Sequence, residues 1–152
     1  MPHCWLMKSE PESFSIDALA AKKESLWDGV RNYQARNFMM NDMKPGDLVL
    51  FYHSSSEPPG VAGIAEVSGA AEPDPTQFDK KSEYYDPKAS RAKPIWYCVK
   101  LRFKRKFKQL VTLAEIRAEP RLKDMALLRK GQRLSIQPVA KNEFALIAGR
   151  GS

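Results

Sequence analysis

LVLFYHS, residues 48–54, is a nearly continuous apolar run between two turn signals, Lys44-Pro45-Gly46-Asp47 before it and SSSEPPG after it. A run of that length suits a strand covered on both faces. VAGIAEV follows the second turn. Its alternating small residues, with Gly60 and Gly63 beside and within it, predict a strand approached closely by another backbone or by a ligand. Two such segments in succession place a buried sheet at the centre of the chain.

The remaining segments arrange themselves around it. CWLMKS, residues 4–9, reads as a short buried strand ending at Glu10-Pro11, because proline drives its predecessor into extended geometry. Ser15 caps a helix over SIDALAAKK, with Phe14 and Leu19 at the hydrophobic-staple positions. Tyr33 to Met43 carries Ala35, Phe38, Met39 and Met43 at helical spacing, leaving Gln34, Asn37 and Asn41 on the other face. Residues 70–94 form a long ordered loop with at most one short helix near Thr76 to Asp79. WYCVKLRFKRKF alternates Val99, Leu101 and Phe103 against Lys100, Arg102 and Lys104. Thr112 and Glu115 open a capped helix that ends before Pro120; a second short helix spans Asp124 to Lys130. RLSIQPV, residues 133–139, is the last strand, and KNEFALIAG a terminal helix ending at Gly149. Five or six strands with scattered helices and no regular alternation give an α+β fold. The 152 residues, 43% hydrophobic, suffice for one domain over 1–149 followed by a three-residue tail.

The charge points outward to a partner. Twenty-five Lys and Arg against 18 Asp and Glu leave +7, which favours a polyanion, nucleic acid first, although a basic excess is also an ordinary solvated surface. Cys4 and Cys98 fit neither a disulfide framework nor a metal-ligand spacing. No metal or cofactor is therefore expected. The N-terminus turns polar too soon for a signal peptide or a membrane span. The expected setting is intracellular, cytoplasmic or, in a eukaryote, nuclear, without a membrane partner.

WLMKSEP, WDGVRNYQARNFM, FYHSS, PGVAGIAEV, YYDPK and RLSIQPV occur in this order along nearly the whole chain. Together they closely resemble the EVE domain family of the PUA-like superfamily. The resemblance implies a small twisted β-barrel flanked by helices, and a relationship to YTH domains, which hold a methylated base in an aromatic cage. It further implies a reader of modified bases, methylated or hydroxymethylated for example, in DNA or RNA. LMKS looks like the strand lining the YTH pocket, and Trp27 lies where such domains place a cage tryptophan. The second aromatic wall is left among Tyr84, Tyr85 and Trp96; Tyr85 is carried in the candidate set.

The chemistry of WDGVRNYQARN fits that expectation. A base drawn out of its strand needs a plane to stack on, and donors and acceptors around its edge. Trp27 offers the plane; Asn32, Gln34 and Asn37 both donate and accept; Arg31 and Arg36 can grip a phosphate or a base edge. Alternatively Trp27 is core, and one arginine pairs structurally with Glu10, Asp28 or Asp47. Lys8, Ser9 and Glu10 frame the end of the first strand, where Ser9 reads a base or caps the chain. Tyr52, His53 and Ser54 leave the buried strand, where His53 either contacts ligand or completes a local network. Lys100, Arg102 and Lys104, continuing through Arg105, Lys106 and Lys108, either track a phosphate backbone or protect a sheet edge. An enzyme using Glu10, Asp28 and Asp86 with His53 or Lys8 is the competing class, without a recognised catalytic constellation. A protein-binding scaffold using the 70–94 loop is a third.

Overall fold

The computed structural model describes residues 3–131 and 134–152. In chain order its strands are β1 (Cys4–Ser9), β2 (Glu24–Leu26), β3 (Leu48–His53), β4 (Gly60–Val67), β5 (Glu72–Pro73), β6 (Tyr97–Cys98), β7 (Lys100–Thr112) and β8 (Ile136–Val139). The α-helices are α1 (Ile16–Lys22), α2 (Tyr33–Asn37), α3 (Leu113–Ala118) and α4 (Lys141–Gly151). The strands β2-β7-β4-β3-β1-β8 hydrogen-bond in that order into one curled mixed sheet, while β5 and β6 pair separately. Only β1 and β3 run parallel among the described strands. The α+β class is as expected.

The apolar run became the centre of the sheet. Its alternation sends Val49 and Phe51 to a core shared with Trp5, Met7, Ile16 and Trp27, and Leu50 and Tyr52 to a second core with Leu6, Phe107 and Ile147. Burial on both faces explains why no polar residue interrupts it. Gly63 shows the close backbone approach: a Cβ there would lie 2.3 Å from the carbonyl oxygen of Arg105 on β7. Register shifts beside Gly63 and between Ile64 and Ala65 let the long β7 bend around β4.

Local capping chemistry holds the helices where the sequence places them. Ser15 accepts the Ala18 N–H, and Thr112 and Glu115 form the reciprocal box. Residues 33–43 form a helix that changes character: α2 gives way to a π-helical turn over Phe38–Asp42, which buries Met39 and sets Phe38 against Trp5, ring centroids 5.2 Å apart. The 124–130 segment forms only a 3-10 turn at Ala126–Leu128, and α4 continues through Gly149 to Gly151. β2 was not anticipated. The part of the expected last strand at Arg133 lies outside the described residues. Among the described residues, no helix is long and apolar enough to cross a membrane.

The 70–94 loop is tied shut at its base by Gln77. Its buried amide donates to the carbonyls of Asp74 and Trp96 and accepts from the N–H groups of Ile95 and Trp96. A 3-10 turn at Pro75–Phe78 sits where a short helix was expected, begun by Asp74 as N-cap with proline after it.

Candidate functional site

A cavity of about 680 Å³ opens between the end of β1, the residues leading into α1, β2 and the segment after it, and the tip of the 70–94 loop. Trp27 is in its wall. The indole is only 8% exposed, packed edge-on against Phe51 at 5.4 Å and Phe14 at 6.3 Å. Among the described residues its Nε1 has no hydrogen-bond partner, yet it is not a buried unpartnered atom. Trp27 is therefore both core anchor and cavity wall.

Opposite chemistry sits beside it. Asp28 lines the cavity, and burial, followed by the nearby charge of Asp74, lifts its carboxyl above the usual range against the opposing pull of its own backbone N–H, Lys22 and Arg31. Lys8 lines it, with no ion-pair partner among the described residues, and burial holds its ammonium below the ordinary lysine range. A half-desolvated, unpaired ammonium gains from an incoming acceptor. Ser9 and Glu10 also line the wall; the Ser9 hydroxyl donates to the Phe14 carbonyl at 2.6 Å, leaving its oxygen lone pairs. Asn32 lines it too, its Oδ1 taken by the Ala35 N–H, which leaves the amide donors. Lys8, Lys22 and Arg31 are balanced in number by Glu10, Asp28 and Glu83. Such a near-neutral, edge-rich hollow suits a polar heterocycle better than a bare phosphate.

The two arginines are held differently. Arg31 donates to the Tyr84 carbonyl at 2.7 and 3.1 Å, to Thr76, to the Val30 carbonyl and to Asp74 at 3.2 Å, and its guanidinium lies over the rings of Tyr84 and Trp96. Its partner is thus Asp74 rather than Glu10, Asp28 or Asp47. Asp74, fully buried, also accepts the Gly29 N–H at 2.8 Å. Gly29, at φ +81°, leaves no room for a side chain: a Cβ would meet the Tyr84 ring at 2.8 Å. Arg31, Asp74 and Gly29 together seat Tyr84 in the cavity wall. Tyr85 does not line it, and Trp96 is buried with its N–H on Asp86. Gly29 had no place in the sequence reading, Tyr84 was one of three aromatic walls left open there, and Asp28 stood only as an arginine partner or as a carboxylate of the competing enzyme class. The Asp-Gly turn directly after Trp27 was the available signal.

Other candidates lie apart. Gln34 and Asn37 are on α2 outside the cavity, with Asn37 exposed and accepting from Arg36. Tyr52 turns to the opposite core. Ser54 donates its backbone N–H to Ser9 without lining the cavity. His53 borders a separate hollow of about 240 Å³ with Asp17 and Lys106, and its Nε2 accepts the Ile16 N–H at the start of α1 at 3.1 Å. His53 is therefore not assembled with the cavity carboxylates, and Asp86 is engaged by Trp96. Lys100, Arg102 and Lys104 lie on β7 inside the sheet, between β2 and β4, in exposed pairs with Glu24 and Glu66. Lys100 stands across from Leu26 of the cavity wall.

The histidine carries a pH prediction. Burial, reinforced by Lys106 and opposed by Asp17, lowers its pKa from 6.5. Below about pH 6.5 the unfolded chain binds a proton that the folded protein refuses, so this contribution to stability is full above that pH and falls as the pH drops towards the folded value. Melting temperatures between about pH 7 and pH 5 should fall more steeply for the wild type than for His53→Gln, whose amide oxygen still accepts from Ile16. Equal slopes would remove His53 from the acid response.

The comparisons with known proteins bear on the family and the fold. The EVE domain family model matches residues 3–150. Human thymocyte nuclear protein 1 is 43% identical over 94% of this chain and 71% of its own length, and the zebrafish (Danio rerio) protein of that name 44% identical over 94% and 69%. A hypothetical protein from Leishmania major superimposes with a TM-score of 0.93 at 49% identity, covering 99% of this chain and 95% of the other. The human THYN1 protein, solved in complex with 5-methylcytosine-containing DNA, does so with 0.90 at 41% identity, covering 99% and 98%. Fold and sequence blocks thus converge, and the chain belongs to the EVE domain family.

Proposed function

We propose that this protein binds nucleic acid non-catalytically and reads a modified base by receiving it, extruded from its strand, in the cavity beside Trp27. The observation that carries this reading is a cavity whose lining brings together Trp27, whose indole N–H has no partner among the described residues, Lys8, which has no ion-pair partner among them, and the carboxyl of Asp28. Donor and acceptor together match a base edge, and Tyr84 and Trp27 supply aromatic surface. The complex of the THYN1 relative with 5-methylcytosine DNA supports the choice of ligand class. Phosphates flanking the base would find Lys22 at the cavity and the β7 residues Lys100, Arg102 and Lys104 beyond it, whose exposed ion pairs exchange readily for a polyanion.

Binding measured by fluorescence anisotropy on DNA and RNA, with and without 5-methylcytosine, tests this. The modified strand should bind more tightly, in a salt-dependent manner, and be recovered unchanged. Lys8→Gln should cost about tenfold on the modified strand, within the range of hydrogen bonds to charged groups. Equal affinity for modified and unmodified strands would defeat the reader, and chemical conversion of the base would install an enzyme in its place.

A further inference from the structure

Tyr33 is the most exposed large hydrophobic side chain among the described residues, at 58%, and does not line the cavity. Its ring is nevertheless fixed. It stacks on Trp96 with centroids 4.8 Å apart and planes at 28°. Trp96 is itself buried, its N–H held by Asp86 and its backbone by Gln77. A tyrosine on so rigid a base presents a flat, preoriented surface to solvent.

A cation lies over the same ring and close to the Trp96 on which it stacks. The Arg36 guanidinium lies 4.8 Å from the Tyr33 ring centroid. It donates to the Ile95 carbonyl and to Asn37 Oδ1, both neutral, and among the described residues no carboxylate pairs with it. Three of its five N–H groups are engaged, which leaves two for an anion. Arg31, by contrast, is neutralised by Asp74. Asn32 and Arg31, the residues immediately before Tyr33, line the cavity.

We propose that the outer face of Tyr33 is a second nucleobase site, a stacking platform for the nucleotide next to the one in the cavity, with Arg36 on its phosphate. The proposal rests on the reading of the cavity as a base pocket and extends it to the neighbouring nucleotide. An aromatic face stacks any base, and a guanidinium adds charge without choosing a sequence. The protein then prefers a strand to a free modified nucleotide, whatever the neighbouring base.

The test compares wild type, Tyr33→Ala and Tyr33→Phe on three probes. These are 5-methyldeoxycytidine monophosphate, a short single-stranded DNA with one 5-methylcytosine, and the same strand with an abasic position on either side of it. Tyr33→Ala should bind the mononucleotide as wild type does and lose about tenfold on the strand, the range of one base-aromatic stack; Tyr33→Phe should keep wild-type affinity. An abasic neighbour on one side should cost the wild type the same factor and cost Tyr33→Ala nothing more. Equal losses on mononucleotide and strand would make Tyr33 a support of the cavity, and no loss on the strand would reject the platform; either overturns the proposal alone. Failure of the wild type to bind both mononucleotide and strand would overturn the cavity reading and this site with it.

Discussion

Trp27→Ala is expected to lose stability and base recognition together. The ring is packed against Phe14 and Phe51 in the main core, and removing a buried tryptophan of this kind costs about 3–5 kcal/mol through lost burial and the void left behind. That is a large share of the stability of a domain this size, so the alanine variant alone confuses a collapsed wall with a missing contact. Trp27→Phe separates the two. It retains an aromatic plane against Phe51 while removing the indole N–H. Chemical denaturation should place the phenylalanine variant much nearer the wild type than the alanine variant, while its preference for modified over unmodified strands drops several-fold, as loss of one neutral hydrogen bond predicts. Full retention of that preference would leave Trp27 a purely structural residue.

The second large effect should come from Asp74, 45 residues from the glycine it binds. Its Oδ2 accepts from Gly29 and Arg31, and its Oδ1 from the N–H and hydroxyl of Thr76. Asp74→Ala strands these donors and removes the counter-charge of Arg31. The expected loss is about 3 kcal/mol, at the low end for breaking a buried ion pair because Arg31 retains some access to water. Asp74→Asn should be nearly as damaging: turning either amide edge towards these donors opposes like with like. Both variants should also loosen Tyr84, so binding to modified strands should fall while hydrogen exchange at Gly29 and Thr76 accelerates. Wild-type exchange at those amides would show that the clamp does not hold the wall.

What the sequence disclosed was what local chemistry decides. Ser15, and Thr112 with Glu115, announce helix starts because a cap needs only residues three apart. The apolar run of β3 announces burial on both faces. β2 gave no such notice: its three residues are extended because they pair with β7, following Lys23 at φ +70°. Residues 124–130 read as a helix, but Leu122, Met125 and Leu127 all turn into one core and leave only a short turn between them. The cavity was half legible. Trp27 and the end of β1 stood out as residue types, whereas the choice of Tyr84 over Tyr85 depends on Gly29 and Arg31, remote in sequence and adjacent only after folding. His53 sat beside promising neighbours, and only the position of Ile16 reveals its engagement.

The antiparallel pairing of β1 with β8 joins Cys4 to Val139 and Met7 to Ile136. A nascent chain therefore carries β1, with Trp5 and Met7, past the synthesis of every other strand of the sheet before β8 exists to pair with it. During that interval one lip of the sheet is bare and able to recruit a strand from another molecule. Shortening the protein ahead of Ile136 should accordingly favour aggregates over a smaller soluble fold.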